Sequence, residues 1–258
     1  MTEILPCYVG YDSREDEAFK VCENSLKRHS SIPVFTMAMR QEVLRYIGLY
    51  TRKVDYDDGQ SVDVVDGKPF STEFSFSRFL VPALAQYEGW ALFCDCDMLF
   101  RTDVAELLAL RDEKYAVMVV KHDHRPKEQV KMDGERQEHY FRKNWSSFIL
   151  WNCSHPSNAR LTVEMANTKP GGWLHAFQWL KPHEIGELPE AWNWLEGSSP
   201  SEIHPKVVHF TRGGPWFEEY EQVAYAREWL AEQKLLASRV DLMRPTTVLR
   251  FTGGNVAR

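Results

Sequence analysis

The sequence lacks the features of a membrane or secreted protein. It contains no run of about 18 uninterrupted apolar residues, so we expect no membrane span. Its start, MTEILPCYVGYD, has no basic segment followed by a long apolar one, so we expect no secretory signal. The five cysteines are odd in number and irregularly spaced, which is typical of free thiols in a reducing compartment. These absences predict a cytoplasmic protein.

An excess of positive charge and internal repeats are missing as well. The net charge of -6 gives no general reason to expect a nucleic-acid partner. No repeat, low-complexity tract or Pro/Gly-rich linker divides the 258 residues, which are enough to bury one large core. We therefore predict a single domain that extends over residues 1–258.

Short apolar runs typical of strands alternate with segments in which apolar residues recur at helical spacing. This alternation of strands and helices predicts an α/β protein with a mainly parallel central sheet. Strands are predicted at residues 4–9, 33–39, 90–93, 117–120, 148–151 and 207–210, and helices at residues 15–29 and 74–86. A polar segment at residues 121–145 carries both charge signs and lies between two predicted strands. It is either an exposed excursion without a specific role or, as we prefer, a binding loop.

Two carboxylates follow the buried strand within WALFCDCDMLF. Side chains alternate in an extended chain, so Asp95 and Asp97 point to one side and Cys94 and Cys96 to the other. The carboxyl end of a parallel strand is where open α/β sheets bind ligands. Oxygen ligands at that place suit Mg²⁺ or Mn²⁺, while a solvated turn is the open alternative. With no second cysteine pair, the two cysteines are better explained as small buried side chains than as a zinc site.

A second polar cluster lies in KVVHFTRGGPWF, residues 206–217. A neutral imidazole at His209 is a suitable third ligand for a metal that two carboxylates already hold. Arg212 offers a planar fork for phosphate oxygens, and Gly213 and Gly214 allow the backbone to approach a bulky ligand. A histidine at the end of a strand is by itself more often an ordinary core residue, but the combination is more specific.

Three stretches together identify a resemblance to a known family. They are YVGYDSREDEAF with the later NSLKRH, then STEFSFSRFLVPAL with GWALFCDCDMLF, and finally KVVHFTRGGPWFEEY. The chain resembles the retaining glycosyltransferases of the glycogenin and lipopolysaccharide galactosyltransferase type, family eight. The resemblance implies a single GT-A (Rossmann-like) domain with a nucleotide-binding half at residues 1–110 and an acceptor-binding half at residues 111–258.

The resemblance also implies a reaction and a set of site residues. A hexose would move from a nucleotide sugar, expected to be a UDP-sugar, to a carbohydrate or glycoconjugate acceptor with retention of configuration. Asp95, Asp97 and His209 would bind Mn²⁺ (or Mg²⁺). The residues expected to hold the donor are Tyr8, Tyr11, Asp12, Arg78, Asp95, Arg212, Gly213, Gly214 and Trp216. Those expected to take part in catalysis are Arg78, Asp97 and Gln178.

The sequence departs from the family pattern at several positions. Gly214 stands where a lysine is usual, and Phe177 replaces the acid expected before Gln178, so we expect no stable covalent intermediate. Ser146 and Ser147 are the nearest substitutes for the usual Asn-Ser-Gly. An inverting enzyme would need a base, and the candidates by sequence lie in the polar segment: Asp123, Asp133 and Glu135.

Two other classes of function stay open. A metal-dependent nucleotidyltransferase would also use paired aspartates, although GYDSRED is neither Gly-rich nor basic. A non-catalytic carbohydrate-binding domain would explain Trp192, Asn193 and Trp194, since aromatic rings and an amide suit sugar faces and hydroxyls. These tryptophans could equally seal the core.

Overall fold

A computed structural model describes residues 4–122 and 142–243 of the chain. Its strands are β1 (Leu5–Gly10), β2 (Val34–Met39), β3 (Val54–Asp57), β4 (Gln60–Asp63), β5 (Trp90–Cys94), β6 (Met98–Phe100), β7 (Val117–Val119), β8 (Phe148–Asn152), β9 (Ile185–Glu187), β10 (Trp194–Leu195) and β11 (Val207–His209). Its helices are α1 (Asp16–His29), α2 (Gln41–Tyr46), α3 (Val81–Leu84), α4 (Ala105–Leu108), α5 (Val163–Thr168), α6 (Gly171–His175) and α7 (Ala226–Met243).

The central sheet has six strands in the order β2-β1-β5-β8-β7-β9. Parallel pairing joins β1 to β2, β1 to β5 and β7 to β9, whereas β8 runs antiparallel to both of its neighbours. Strands β5, β7 and β8 are buried along their whole length, which explains their continuous apolar runs. The predicted α/β fold with a mainly parallel central sheet is confirmed.

A second, three-stranded sheet lies directly beyond the end of β5. Its order is β10-β11-β6, with β6 and β11 antiparallel and β10 and β11 parallel. The register pairs Met98 with His209, so the segment between β5 and β6 is held beside the end of β11. This pairing brings two regions of the chain that are far apart in sequence to the same edge of the central sheet.

The long helix α1 follows β1, as predicted. A 3₁₀ turn at Ser13–Glu15 leads into it, and its apolar residues lie on one face that packs against β6 and α7. Acidic residues occupy its first turn and Lys27, Arg28 and His29 its last, which complements the helix dipole. Glu232 of α7 accepts hydrogen bonds from Asn24 and Arg28 and fixes the two helices together.

The helix predicted at residues 74–86 is only partly confirmed. A 3₁₀ turn at Ser77–Leu80 is followed by a single α-helical turn, α3. Pro82 lies in the first turn of α3, where its missing N–H costs little, and Gln86 and Tyr87 then adopt left-handed backbone angles that end the helix. The residues from Phe74 to Pro82 are all buried, so the segment has no solvent face of the kind that an amphipathic helix shows.

Within the part of the chain that the structure describes, no helix has the length and apolar character needed to span a membrane. The polar segment predicted as a binding loop, together with Asp123, Asp133 and Glu135, lies largely outside the described residues.

Candidate metal and donor site

Three predicted metal ligands meet at the carboxyl edge of β5. Asp95 directly follows β5, Asp97 directly precedes β6, and His209 is the last residue of β11. One ligand atom from each of the three lies within 4.8 Å of the others. The Nε2 atom of His209 is 3.2 Å from Oδ1 of Asp97 and 4.0 Å from Oδ2 of Asp95.

The backbone around these residues is fixed by hydrogen bonds between separate segments. The N–H of Phe210 donates to the carbonyl of Asp97 at 3.0 Å, and the N–H of Asp95 donates to the carbonyl of Ser147 at 2.9 Å. The three side chains therefore converge because their backbones are held, without any need for a bound ion to assemble them.

Arg78 adds a fixed positive charge. Its guanidinium Nη1 lies 2.9 Å from Oδ1 of Asp95 and donates to the carbonyl of Ser146 at 2.8 Å. The guanidinium carbon also lies 5.2 Å and 5.0 Å from the ring centroids of Phe74 and Phe93. Arg78 is buried, so this cation is held against Asp95 with little freedom to move.

The charge at this edge favours a further cation. Burial alone would lower the pKa of His209, but the carboxylates of Asp97 and Asp95 outweigh burial and raise it. In the absence of a metal, a proton on Nε2 thus relieves the repulsion between the two carboxylates. Two carboxylates and an imidazole within 4.8 Å of one another are a donor set that suits Mn²⁺ or Mg²⁺, so these residues fit such an ion.

Glu15 is a site residue that the sequence did not point to. Burial, together with the charges of Asp97 and Asp12, raises the pKa of its carboxyl to about 8, and the thiol of Cys96 donates to it at 3.4 Å. Glu15 ends the 3₁₀ turn before α1, and only the packing of that turn against the segment between β5 and β6 makes it part of the site.

His175 is a second residue that sequence patterns missed. Its Nδ1 atom lies 2.7 Å from Oγ of Ser146, whose carbonyl receives the hydrogen bond from Arg78. Burial, and then the charges of Arg78 and Arg52, hold the pKa of His175 well below its ordinary value, so the ring is neutral at pH 7. A histidine among apolar residues in GGWLHAFQWL was the available signal.

The neighbouring Gln178 is placed differently from the expectation. Its side chain is exposed, and Phe177 before it is fully buried against Phe79 and Trp179 with a left-handed φ of 51°. Phe177 is thus a core residue rather than a substitute for a catalytic acid. In this segment it is His175, not Gln178, that contacts the group of residues around Arg78.

The residues expected to hold the nucleoside lie near the end of β1. Tyr8 and Tyr11 are largely buried, and the hydroxyl of Tyr11 donates to Asp16 at 2.9 Å. Asp12 is fully buried, and its carboxylate accepts from the backbone and guanidinium of Arg14 and from the N–H of Glu73. These bonds outweigh burial and lower the pKa of Asp12. A direct contact between Asp12 and a nucleoside would have to replace some of them.

The two glycines after Arg212 serve the chain's own aromatic rings. A Cβ on Gly214 would lie 2.0 Å from the ring of Trp216, and one on Gly213 would lie 2.6 Å from the ring of Tyr220. Trp216 in turn packs against Phe210 and Trp229. Internal packing thus already requires glycine at both positions, and the role of Gly213 and Gly214 beside a ligand stays a prediction. Arg212 is exposed, with Nη2 3.5 Å from Glu196.

Trp192, Asn193 and Trp194 form part of the interior. Both tryptophans are buried, and Trp192 stacks near Phe148 at 6.4 Å between centroids. Asn193 is fully buried, with Oδ1 2.9 Å from Nδ1 of His209. Of the two explanations for these residues, the structure favours a core role over a sugar-binding one.

Comparison with known proteins places the chain among relatives. No family model matches it. It is 49% identical over 232 residues to "Protein CDI" of Arabidopsis thaliana, a match that covers 88% of this chain and 85% of that protein. The chain belongs to the Protein CDI family.

Solved structures similar to this Protein CDI family member are glycosyltransferases by name. The bifunctional glycosyltransferase WbbM has a TM-score of 0.57 at 14% identity over 93% of this chain. GlyE of Streptococcus pneumoniae TIGR4 has 0.57 at 16% over 93%, and the galactosyltransferase LgtC has 0.55 at 11% over 90%. The chain spans 52% of WbbM, 64% of GlyE and 96% of LgtC. The likeness establishes the GT-A fold for this chain.

Proposed function

We propose that this protein is a metal-dependent glycosyltransferase that moves a hexose from a UDP-sugar to a carbohydrate or glycoconjugate acceptor. The observation that supports the proposal best is the convergence of Asp95, Asp97 and His209 at the carboxyl edge of β5 in a GT-A sheet. LgtC, which shares the fold, was solved with donor and acceptor sugar analogs. The five buried, free cysteines agree with a reaction in the cytoplasm.

Each group at the site has a role in this proposal. Asp95, Asp97 and His209 hold Mn²⁺ (or Mg²⁺), which when bound supplies positive charge to stabilise a departing diphosphate. Arg78 orients Asp95 and contributes a second, permanent positive charge to the same edge. Arg212 is exposed, with its guanidinium beside Gly197 and 3.5 Å from Glu196, and its planar fork suits phosphate oxygens. Gly213, Gly214 and Trp216 shape the backbone that carries it.

The donor and the acceptor occupy different halves in this proposal. Tyr8, Tyr11 and Asp12 lie near the nucleoside, within the donor-binding half at residues 1–110. Gln178, exposed after α6, contacts the transferred sugar or the acceptor in the half at residues 111–258. The family eight resemblance supports these assignments, and the placement of His175 beside Ser146 adds a polar contact that the resemblance did not supply.

Retention of configuration is part of the proposal. Phe177 is a buried hydrocarbon at the place of the expected acid, so we propose that no covalent glycosyl-enzyme forms. The bond from the sugar to the diphosphate breaks while the acceptor hydroxyl attacks from the same face. The hydroxyl proton then passes to the diphosphate oxygen that has just been released, and no side-chain base is required.

The first test is metal-dependent binding of nucleotides. Thermal stability would be followed while Mn²⁺ or Mg²⁺ and the diphosphates of uridine, guanosine and cytidine are titrated. We expect stabilisation by UDP that depends on the metal and exceeds that by GDP and CDP. Equal or tighter binding of GDP or CDP would overturn the UDP assignment.

A panel of nucleotide sugars would then be screened for metal-dependent hydrolysis to UDP and free sugar. Turnover of a UDP-sugar supports the transferase. Release of pyrophosphate from a nucleoside triphosphate and a sugar phosphate would instead identify a nucleotidyltransferase. Sugar binding without turnover of any donor would favour a carbohydrate-binding domain, for which burial of Trp192 and Trp194 leaves little support.

A further inference from the structure

A chain of hydrogen bonds leads from the backbone of Asn144 to the imidazole of His209. The carbonyl of Asn144 is 2.8 Å from Oγ of Ser147, which is 3.0 Å from Nδ2 of Asn193. Oδ1 of Asn193 is in turn 2.9 Å from Nδ1 of His209. Asn193, Ser147 and His209 are all buried, so these groups depend on one another rather than on solvent for their hydrogen bonds.

The carbonyl of Asn144 determines the direction of every hydrogen bond in this series. A carbonyl only accepts, so the single hydroxyl proton of Ser147 goes to Asn144. The Ser147 oxygen then has lone pairs left and accepts from the amide nitrogen of Asn193. The same amide nitrogen lies 3.4 Å from the carbonyl of Asn144, which also requires a donor at that position. The carbonyl oxygen of Asn193 therefore faces His209.

This orientation settles which nitrogen of His209 carries the permanent proton. Oδ1 of Asn193 accepts, so Nδ1 of His209 must donate. The opposite tautomer would place two buried acceptors 2.9 Å apart, which costs the desolvation of both without a bond between them. Nε2, the nitrogen that faces Asp95 and Asp97, is then the one whose lone pair is available to a cation.

We propose that Asn193 is a positioning residue that fixes the tautomer and the ring orientation of His209, and so presents Nε2 as a metal ligand. The proposal deepens the function proposed above and rests on a metal binding at that site. Asn193 is also connected, through Ser147, to the segment that holds Arg78, because the carbonyl of the neighbouring Ser146 accepts a hydrogen bond from Arg78.

The test compares substitutions at two buried asparagines. N193L removes both hydrogen-bonding groups of Asn193 and keeps a similar side-chain volume. N158L is the matched control, because Asn158 is equally buried and bonds to Ala116, Asn152 and Trp179 instead. N193D keeps the acceptor for Nδ1 of His209 and replaces the amide nitrogen that faces Ser147 and the Asn144 carbonyl with a carboxylate oxygen.

Mn²⁺ affinity would be measured by electron paramagnetic resonance, and the tautomer of His209 by ¹⁵N NMR of the metal-free protein at a pH high enough to leave the ring neutral, with signals assigned through H209Q. We expect N193L to weaken Mn²⁺ binding about 10–100-fold, as is usual when a residue that orients a ligand is lost. N158L should lower the melting temperature but leave Mn²⁺ affinity at the wild-type value. The wild type and N193D should both show a proton on Nδ1.

Two results would overturn the proposal: a wild-type His209 with an unprotonated Nδ1, or a folded N193L that binds Mn²⁺ as the wild type does. If N193L fails to fold, the wild-type and N193D spectra still decide the tautomer. A wild type that binds no Mn²⁺ would overturn the proposed function, and the metal-free spectrum would then still report separately whether Asn193 orients His209.

Discussion

Nε2 of His209 lies 3.2 Å from Oδ1 of Asp97, and the antiparallel pairing of β11 with β6 holds the two residues at this distance. The contact joins the end of one short strand to the residue just before another. A proton on Nε2 and a metal ion would use the same imidazole and carboxylate atoms. Metal binding should therefore compete with protons at this site.

Asp95→Asn and Asp97→Asn should each abolish the thermal stabilisation that Mn²⁺ and UDP provide together. Donor hydrolysis should fall more than about a hundredfold, because losing a residue that merely orients a ligand already costs about 10–100-fold. Asp112→Asn is the control, since Asp112 pairs with Lys114 away from the site. Circular dichroism would verify the fold. Near-normal donor hydrolysis by both site variants at limiting metal would show that Asp95 and Asp97 do not bind the metal.

His209→Ala should narrow the preference for Mn²⁺ over Mg²⁺, because imidazole favours the softer ion while carboxylates accept both. The measurement is the ratio of hydrolysis rates with the two ions at saturating UDP-sugar. An unchanged ratio would mean that His209 does not contact the metal.

Glu15 should make the stability of the metal-free protein depend on pH. Its folded pKa of about 8 lies above the ordinary value of 4.5, so folding takes up a proton between these two pH values. Stability should consequently fall as the pH rises through this window. Glu15→Gln cannot ionise, and its melting temperature should exceed that of the wild type by a margin that grows from pH 5 to pH 8. Mn²⁺ should shrink the margin, and a margin that does not change with pH would contradict the prediction.

The ion pair of Arg52 and Asp63 should matter for stability rather than for the reaction. Both side chains are fully buried, with Nε to Oδ1 at 2.8 Å, and the guanidinium also donates to the carbonyl of Ala166. Arg52→Met leaves a buried carboxylate without its partner and should cost about 3–5 kcal/mol of unfolding free energy. The double variant R52M/D63L should recover part of that loss in urea denaturation. If the double variant recovers none of the lost unfolding free energy, the loss in Arg52→Met comes from lost packing and hydrogen bonds rather than from the unpaired carboxylate.

Retention can be checked on the sugar that hydrolysis releases. Proton NMR of the first product formed from an α-linked UDP-sugar should show the α-anomer before mutarotation. A β-anomer at early times would rule out retention. Intact-mass spectrometry should detect no glycosyl-enzyme, because Phe177 offers no nucleophile. A trapped adduct would contradict that second expectation independently of the first.

The sequence was informative about the site wherever the chemistry lies in adjacent residues. An extended chain after a buried strand would place Asp95 and Asp97 on one side, and the two side chains do converge, although the backbone bends at Cys96 and Asp97. His209 was a candidate from its own segment and Arg78 was added by resemblance, and the structure brings both within contact of the carboxylates.

Other features depend on contacts between distant segments. Asn193 lies behind His209 only because a 3₁₀ turn packs beside β11, a relation that no local pattern encodes. The glycines at 213 and 214 looked suited to a ligand, yet the rings of Tyr220 and Trp216 occupy the space beside them. Sequence spacing indicates that a close approach occurs, but not which partner makes it.

The reversed direction of β8 has a consequence for how this protein can vary. Cys94 at the end of β5 pairs with Phe148 at the start of β8, and Val119 at the end of β7 pairs with Ile149. The connection from β7 to β8 therefore leaves and re-enters the sheet at the edge where Asp95 lies. The described end of this connection carries Ser146 and Ser147, whose carbonyls accept from Arg78 and from the N–H of Asp95. Substitutions there would change the surroundings of the carboxylates while the ladder keeps their strand in register.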